Sequence, residues 1–150
     1  MGDIVVLLKP ALNPEMIRGT PEGLVDFDYM PLKLSDIDRN AVEEAVRVRD
    51  NYFKGSKIYS ITVVTWGPAA KRDKDVRMVV QEGLAKGVDE AIVVEDDSLT
   101  PGDPVTTASA IVAAMKKFNI SPSLVLAGEA TIDGFTGQVA GRVAAKLGLP

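Results

Sequence analysis

Gly128, Gly134 and Gly137 punctuate a polar loop that also carries Thr131, Asp133, Thr136 and Gln138; the loop runs from the apolar segment LVLA into AGRVAAKLG. Glycine lets a backbone approach a ligand closely and take up positive φ. Where such a loop opens a helix, the amides from Gly134 to Val139 stand at the helix N-terminus. Unpaired N–H groups and the helix dipole attract an anion there. Thr136 and Gln138 add side-chain donors. The pattern suits a cradle for phosphate or pyrophosphate, and it also suits a plain strand-to-helix turn. Asp133 would repel a nearby anion, unless its carboxylate orients loop amides or accepts a ribose hydroxyl.

Other candidates are fewer. Lys9 ends an apolar run just before Pro10, as a strand-end charge or as a contact for a ligand phosphate. Trp66, the single tryptophan, sits in VVTWGPA, where it fills core or stacks on a flat ring. Glu43–Glu44 and Asp96–Asp97 are adjacent carboxylates, which point apart on a helix and read as solvated surface. The chain has no histidine and no cysteine. It therefore lacks the commonest general base, any thiol nucleophile and any thiolate metal site. No catalytic side chain and no metal ligand is assigned. If the chain serves redox chemistry, a bound cofactor carries it and the protein supplies position and electrostatics. Neither G-x-G-x-x-G nor a Walker A pattern occurs.

The elements that must position these residues follow from hydrophobic pattern. Apolar runs at 4–8, 58–65, 91–94 and 124–127 show little alternation, as strands covered on both faces do. Between them lie three stripes at helical spacing. Ala41, Val42, Ala45, Val46, Tyr52 and Phe53 form the first, with Ser35 or Asp36 as its cap. Val76, Val79, Val80 and Leu84 form the second, ended by Gly87. Val105, Ala108, Ile111, Val112, Met115 and Phe118 form the third, opened by Asp103 and Pro104. A last helix is expected over 137–147, its small face (Gly137, Ala140, Gly141, Ala144, Ala145) suited to tight packing. Strands alternating with helices give an α/β fold, a three-layer open parallel sheet of Rossmann-like type. The stretch 10–34, with prolines and glycines and no clear period, reads as an excursion carrying a small hairpin. Ligands of such sheets bind outside the carboxyl ends of the strands, here 7–10, 64–68 and 127–138.

Totals set the class. The 150 residues, 46 % hydrophobic and 25 % charged, make one nucleotide-binding domain over 1–150. A net charge of −4 argues against a nucleic-acid partner. No run reaches the ~18 apolar residues of a membrane span, and the N-terminus lacks a signal peptide's basic region, so no membrane insertion and a cytoplasmic location are expected. Four strands make a small sheet, and further strands of the same domain are expected outside these residues.

DIVVLLKP, NAVEEAVRVRD, VVTWGPA followed by EGLAKGVDEAIVV, and LVLAGEATIDGFTGQVAGRVAAKLGLP carry a likeness over essentially the whole chain. On these motifs it resembles the β subunit of electron transfer flavoproteins, the FixA-like group included. The resemblance implies a fold like that of the adenine-nucleotide α-hydrolases and a larger α subunit as partner. It implies electrons carried through bound FAD from a dehydrogenase or NADH to an acceptor such as a quinone oxidoreductase. It also implies an adenine nucleotide between the strand ends: AMP in ordinary members, a second FAD in electron-bifurcating ones. Carried over, its contacts are the backbone at Leu7 and Lys9, then Ser35, Asp36 and Asp38, then Thr65 and Trp66. The loop follows with Gly128, Thr131 and Asp133, and Gly134, Phe135, Thr136, Gly137, Gln138 and Val139 cradle the phosphates. DGFTGQV is close to the DGxTxQV of bifurcating members, and less charge beside a pyrophosphate means less repulsion, which favours FAD over AMP. Ala130-Thr131 and Ser35-Asp36 depart from the family's Gln-Ala and Asn-Pro. Family members are longer, so 1–150 corresponds to an N-terminal portion. A universal-stress-type ATP-binding regulator, with a similar sheet and glycine loop, is the alternative.

Overall fold

Aliphatic and β-branched runs without alternation become strands buried on both faces. The computed structural model describes residues 2–65 and 69–150. In chain order the elements are β1 (Asp3–Leu8), β2 (Pro10–Leu12), β3 (Leu32–Leu34), α1 (Asp36–Tyr52), β4 (Ile58–Val64), α2 (Ala69–Ala85), β5 (Glu90–Glu95), α3 (Pro104–Lys117), β6 (Pro122–Ala127) and α4 (Val139–Leu147). Four strands form one sheet in the order β5-β4-β1-β6. Every pairing is parallel, with Leu7 of β1 opposite Ile61 on one side and Ala127 on the other. Alternate residues of β1 enter different cores. Ile4, Val6 and Leu8 pack with Val42 and Ala45 of α1 and Val79 of α2. Val5 and Leu7 pack with Ile61, Val63, Ile111 and Met115, and Val143 of α4 joins them. The expected α/β class and layering are what the chain adopts.

The strand order places the site. From β1 the sheet grows through β4 to β5, and α3 then returns the chain to β6 on the other flank of β1. Strand order reverses at that point, leaving a crevice beyond the carboxyl ends of β1 and β6.

Local signals hold at most ends. Ser35 caps α1, its hydroxyl accepting the Ile37 amide at 3.3 Å, and Asp103 caps α3 through the amides of Val105 and Thr106. The excursion does carry a hairpin: β2 and β3 pair antiparallel, with legs far apart in sequence. Arg72 of α2 straps it down, donating to the carbonyls of Met30 (2.7 Å) and Phe27 (2.8 Å), while Asp75 accepts the Leu32 amide at 2.9 Å.

Three expectations need correction. Tyr52, Leu84, Val105 and Phe118 are exposed, because each lies at a helix end that overruns a four-strand sheet. The last helix starts at Val139, since Gly137 sits at φ +63°, outside the helical region. Its small face is not tightly packed: Ala140, Gly141 and Ala145 are exposed, and a Cβ on Gly141 would meet nothing within 4 Å. Small side chains leave an open groove of about 450 Å³ there, between α4 and the outer edge of β6.

Ser60 Oγ and Thr62 Oγ1 on β4 are buried without a hydrogen-bond partner among the described residues. A desolvated, unpaired hydroxyl costs free energy that a methyl of the same shape does not. Thr62→Val is therefore expected to raise stability, by up to about 1 kcal/mol. Urea unfolding would measure it, and a fall in midpoint would show that the hydroxyl holds a bond.

Candidate functional site

The crevice is a cleft with an enclosed volume of about 80 Å³ and an open mouth. Its floor is apolar, made by Leu7, Leu8, Ile61, Val63 and Ile111. Its rim is polar: Lys9 after β1, Asp38 from α1, and Gly128 and Thr131 after β6. Gln138, Val139 and Ala140 bring the start of α4 to the same cleft.

Two carboxylates organise the rim. Asp38, in the first turn of α1, is only 4 % exposed, and one of its oxygens accepts the Lys9 amide at 2.9 Å. Burial pushes its carboxyl up to about 6, against the pull of the Lys9 and Gly128 amides and the Lys9 charge, while Asp133 adds repulsion. Asp133 has the opposite balance. Burial of its side chain works to raise it, yet Lys9, Thr131 and the Leu12 amide together hold it below the usual carboxylate value. Its oxygens accept Lys9 Nζ at 2.7 Å, the Gly134 amide at 2.7 Å and the Leu12 amide at 3.1 Å. Asp133 thus orients the loop, one of the two roles open to it from sequence, and Lys9 balances its charge.

The loop itself is tightly wound. The Phe135 amide donates to the Thr131 carbonyl at 3.0 Å, and Phe135 takes φ +48° with its ring exposed. Gly134 and Phe135 therefore spend their amides inside the loop. The N-terminus of α4 is different. Gln138 stands at the cap position but makes no side-chain cap bond; its Oε1 instead accepts Arg142, at 2.8 and 3.3 Å. First-turn amides have no intrahelical acceptor. In α1 and α3 a side chain takes that place, whereas the first turn of α4 opens onto the cleft uncapped.

Nine of the residues singled out from sequence meet at this cleft: Leu7, Lys9, Asp38, Gly128, Thr131, Thr136, Gly137, Gln138 and Val139. Asp133 braces it from behind, and Gly134 and Phe135 lie exposed on the outer turn. Ser35 is fully buried as a helix cap, Asp36 is exposed beside Arg39, and Thr65 is buried at the end of β4 away from the cleft lining. Trp66 lies outside the described residues. Sequence reasoning missed Ile61, Val63, Thr107, Ile111 and Ala140. Thr107 reaches the cleft only because α3 packs back across β4 on the way to β6, which no local pattern signals. The paired acids Glu43–Glu44 and Asp96–Asp97 are solvated, as read. Among the described residues no cluster of three or more acidic side chains could hold a metal ion, and no helix is long and apolar enough to cross a membrane.

Comparison with known proteins decides the family. Residues 25–150 match the family described as Electron transfer flavoprotein domain. The chain belongs to the electron transfer flavoprotein family. It is 34 % identical over 149 residues to the electron transfer flavoprotein subunit beta of Clostridium acetobutylicum, covering 99 % of this chain and 53 % of that protein. It is 32 % identical over 154 residues to the subunit beta of Megasphaera elsdenii, covering 99 % and 54 %. Protein FixA of Azorhizobium caulinodans is 30 % identical over 150 residues, covering 97 % and 50 %. The chain spans about half the length of the curated relatives it matches. Among solved structures, a universal stress family protein from Burkholderia pseudomallei aligns with a TM-score of 0.52 at 18 % identity, over 99 % of this chain and 92 % of that one. At that identity it supports the architecture of this flavoprotein-family chain and nothing about its role.

Proposed function

We propose that this chain is the nucleotide-binding part of an electron transfer flavoprotein β subunit, holding an adenine nucleotide at the cleft between β1 and β6. The observation that carries this reading is the uncapped first turn of α4, which opens onto the cleft at the reversal of strand order. The residues fit such a group. The amides of Val139 and Ala140, with the Thr136 hydroxyl and the Gln138 amide, would hold its phosphates. Lys9 adds positive charge, and its pairing with Asp133 removes the repulsion that an isolated carboxylate would exert. The enclosed volume of about 80 Å³ takes only part of a nucleotide, and the open mouth beside 128–138 would receive the remainder.

FAD is preferred over AMP, because the loop adds no further carboxylate after Ile132-Asp133. A flavin, when bound, supplies electron acceptance and donation; this chain binds and orients it. The working protein is then a cytoplasmic heterodimer with a larger α subunit, passing electrons from a dehydrogenase or NADH towards an acceptor such as a quinone oxidoreductase.

Nucleotide stoichiometry tests the reading. The α/β complex is purified, denatured, and its released FAD and AMP are counted per heterodimer. Two FADs are expected for a bifurcating protein, and one FAD with one AMP for the ordinary type. Release of no nucleotide beyond that held by the α subunit overturns the assignment of this cleft.

A further inference from the structure

Asp38 is only 4 % exposed and makes no ion pair among the described residues, so its burial in the cleft needs a reason. Asp38 is not a helix cap, since Ser35 caps α1. Its Oδ2 instead accepts the Lys9 amide at 2.9 Å just after β1, and its Oδ1 lies close against the main chain of Gly128 just after β6. The fit to Gly128 is close: a Cβ there would stand 2.5 Å from Asp38 Oδ1. The two strand ends bound the cleft on either side, and no strand hydrogen bond links them beyond Leu7 and Ala127.

We propose that Asp38 is a positioning residue: its carboxylate, fixed on the first turn of α1, clasps the Lys9 amide to the Gly128 amide and so sets the width of the nucleotide cleft. The role deepens the functional reading above and rests on it. A carboxylate accepts from both amides at once. Once protonated, one oxygen becomes an O–H donor facing an N–H donor, and the clasp on one strand end weakens. The cleft then loosens and the nucleotide is held less well.

Several charged groups surround Asp38. Asp133 is held below the usual carboxylate value and stays ionised, and Lys9 is tied to it. Glu129 lines the cleft, and Asp36 and Arg39 pair with each other on the exposed side of α1. From β4 and α3 the cleft receives Ile61, Val63, Thr107 and Ile111, none of which titrates.

The test titrates AMP, whose adenylate part FAD shares, into the α/β complex of the wild type and of Asp38→Asn between pH 7.5 and 5.0. The phosphate of AMP titrates near 6 itself, so the readout is the ratio of the two Kd values at each pH, in which the ligand's protonation cancels. The wild type should bind about tenfold tighter than Asp38→Asn at pH 7.5, and about equally at pH 5.0. A ratio that stays constant across this range overturns the proposal while leaving the nucleotide site intact. Absence of AMP binding to either protein at pH 7.5 overturns the functional reading instead. A second readout needs no nucleotide: the amide proton shifts of Lys9 and Gly128 should titrate together with a midpoint near 6. Shifts that do not move in that range, or that move identically in Asp38→Asn, defeat the clasp.

Discussion

Gly128→Val should unfold the chain at markedly lower urea and abolish nucleotide retention, while Gly134→Ala in the same loop changes stability little. The difference is steric. A Cβ on Gly128 would lie 2.5 Å from Asp38 Oδ1, 2.8 Å from Ile37 Cγ2 and 3.4 Å from the Ala130 carbonyl. Neither side chain can yield cheaply, for Asp38 is anchored to the Lys9 amide and Ile37 sits in the first turn of a capped helix. Overpacking of this kind costs about 1–3 kcal/mol for one added methyl, and valine's second branch puts the change at the upper end. On Gly134 the same atom would find Thr131 Oγ1 at 3.6 Å and Lys9 Nζ at 4.0 Å, which is ordinary contact. Urea midpoints of the two variants measure the contrast. Equal midpoints would mean that α1 and the end of β6 are not pressed together as the structure has them. Loss of nucleotide from Gly128→Val with full stability would place the damage in the ligand contacts alone.

Gly128 also shows where sequence reasoning reaches its limit. Its place at a strand end, ahead of a glycine-spaced loop, was legible from LVLAGEATIDGFTGQV, and so were the four strands, the caps at Ser35 and Asp103 and the layering of the sheet. These depend on local pattern: strand burial, capping chemistry, helical spacing. What presses on Gly128 comes from α1, ninety residues earlier in the chain by numbering. No periodicity encodes that contact. The same holds for Thr107 and Ile61, which reach the cleft through the crossover of α3 and the parallel register of β4. Glycine spacing puts the phosphate cradle at Gly134 to Val139, yet Gly134 and Phe135 use their amides within the loop, so the open donors sit at the start of α4. Glycine spacing marks a loop that bends; it does not say which of its N–H groups the bend consumes. The misread face of α4 has a related cause. Small residues permit close packing but equally leave room, and the choice belongs to the neighbouring element.

Asp133→Ala is the second large effect expected, a loss of about 2–3 kcal/mol at neutral pH. The side chain is 3 % exposed and holds three donors: Lys9 Nζ, the Gly134 amide and the Leu12 amide. Alanine leaves the Leu12 amide, at the end of β2, without that acceptor and deprives a partly buried ammonium of its carboxylate. Lys9 is 24 % exposed and can recover some hydration, which keeps the cost below that of breaking a wholly buried pair. The pH dependence has a fixed sign. The folded carboxyl is held below its ordinary value of 3.8, so its contribution is fully present above that value and is lost as pH falls through the lowered one. The gap between wild type and Asp133→Ala should thus be constant from pH 8 to 5 and close only in strong acid. Asp38 runs the other way. Burial raises it from 3.8 to about 6, so folding favours its protonated form, and ionisation costs stability as pH rises through that interval. Two carboxylates on one cleft therefore leave opposite signatures in stability against pH. Asp133 stabilises the loop in its charged form, whereas Asp38 is kept charged at a cost, which is the pattern of a group retained for what it positions. Unfolding free energies of wild type, Asp133→Ala and Asp38→Asn from pH 4 to 8 would separate them. A rising slope between pH 4 and 6 that disappears in Asp38→Asn would reverse the assignment of the two roles.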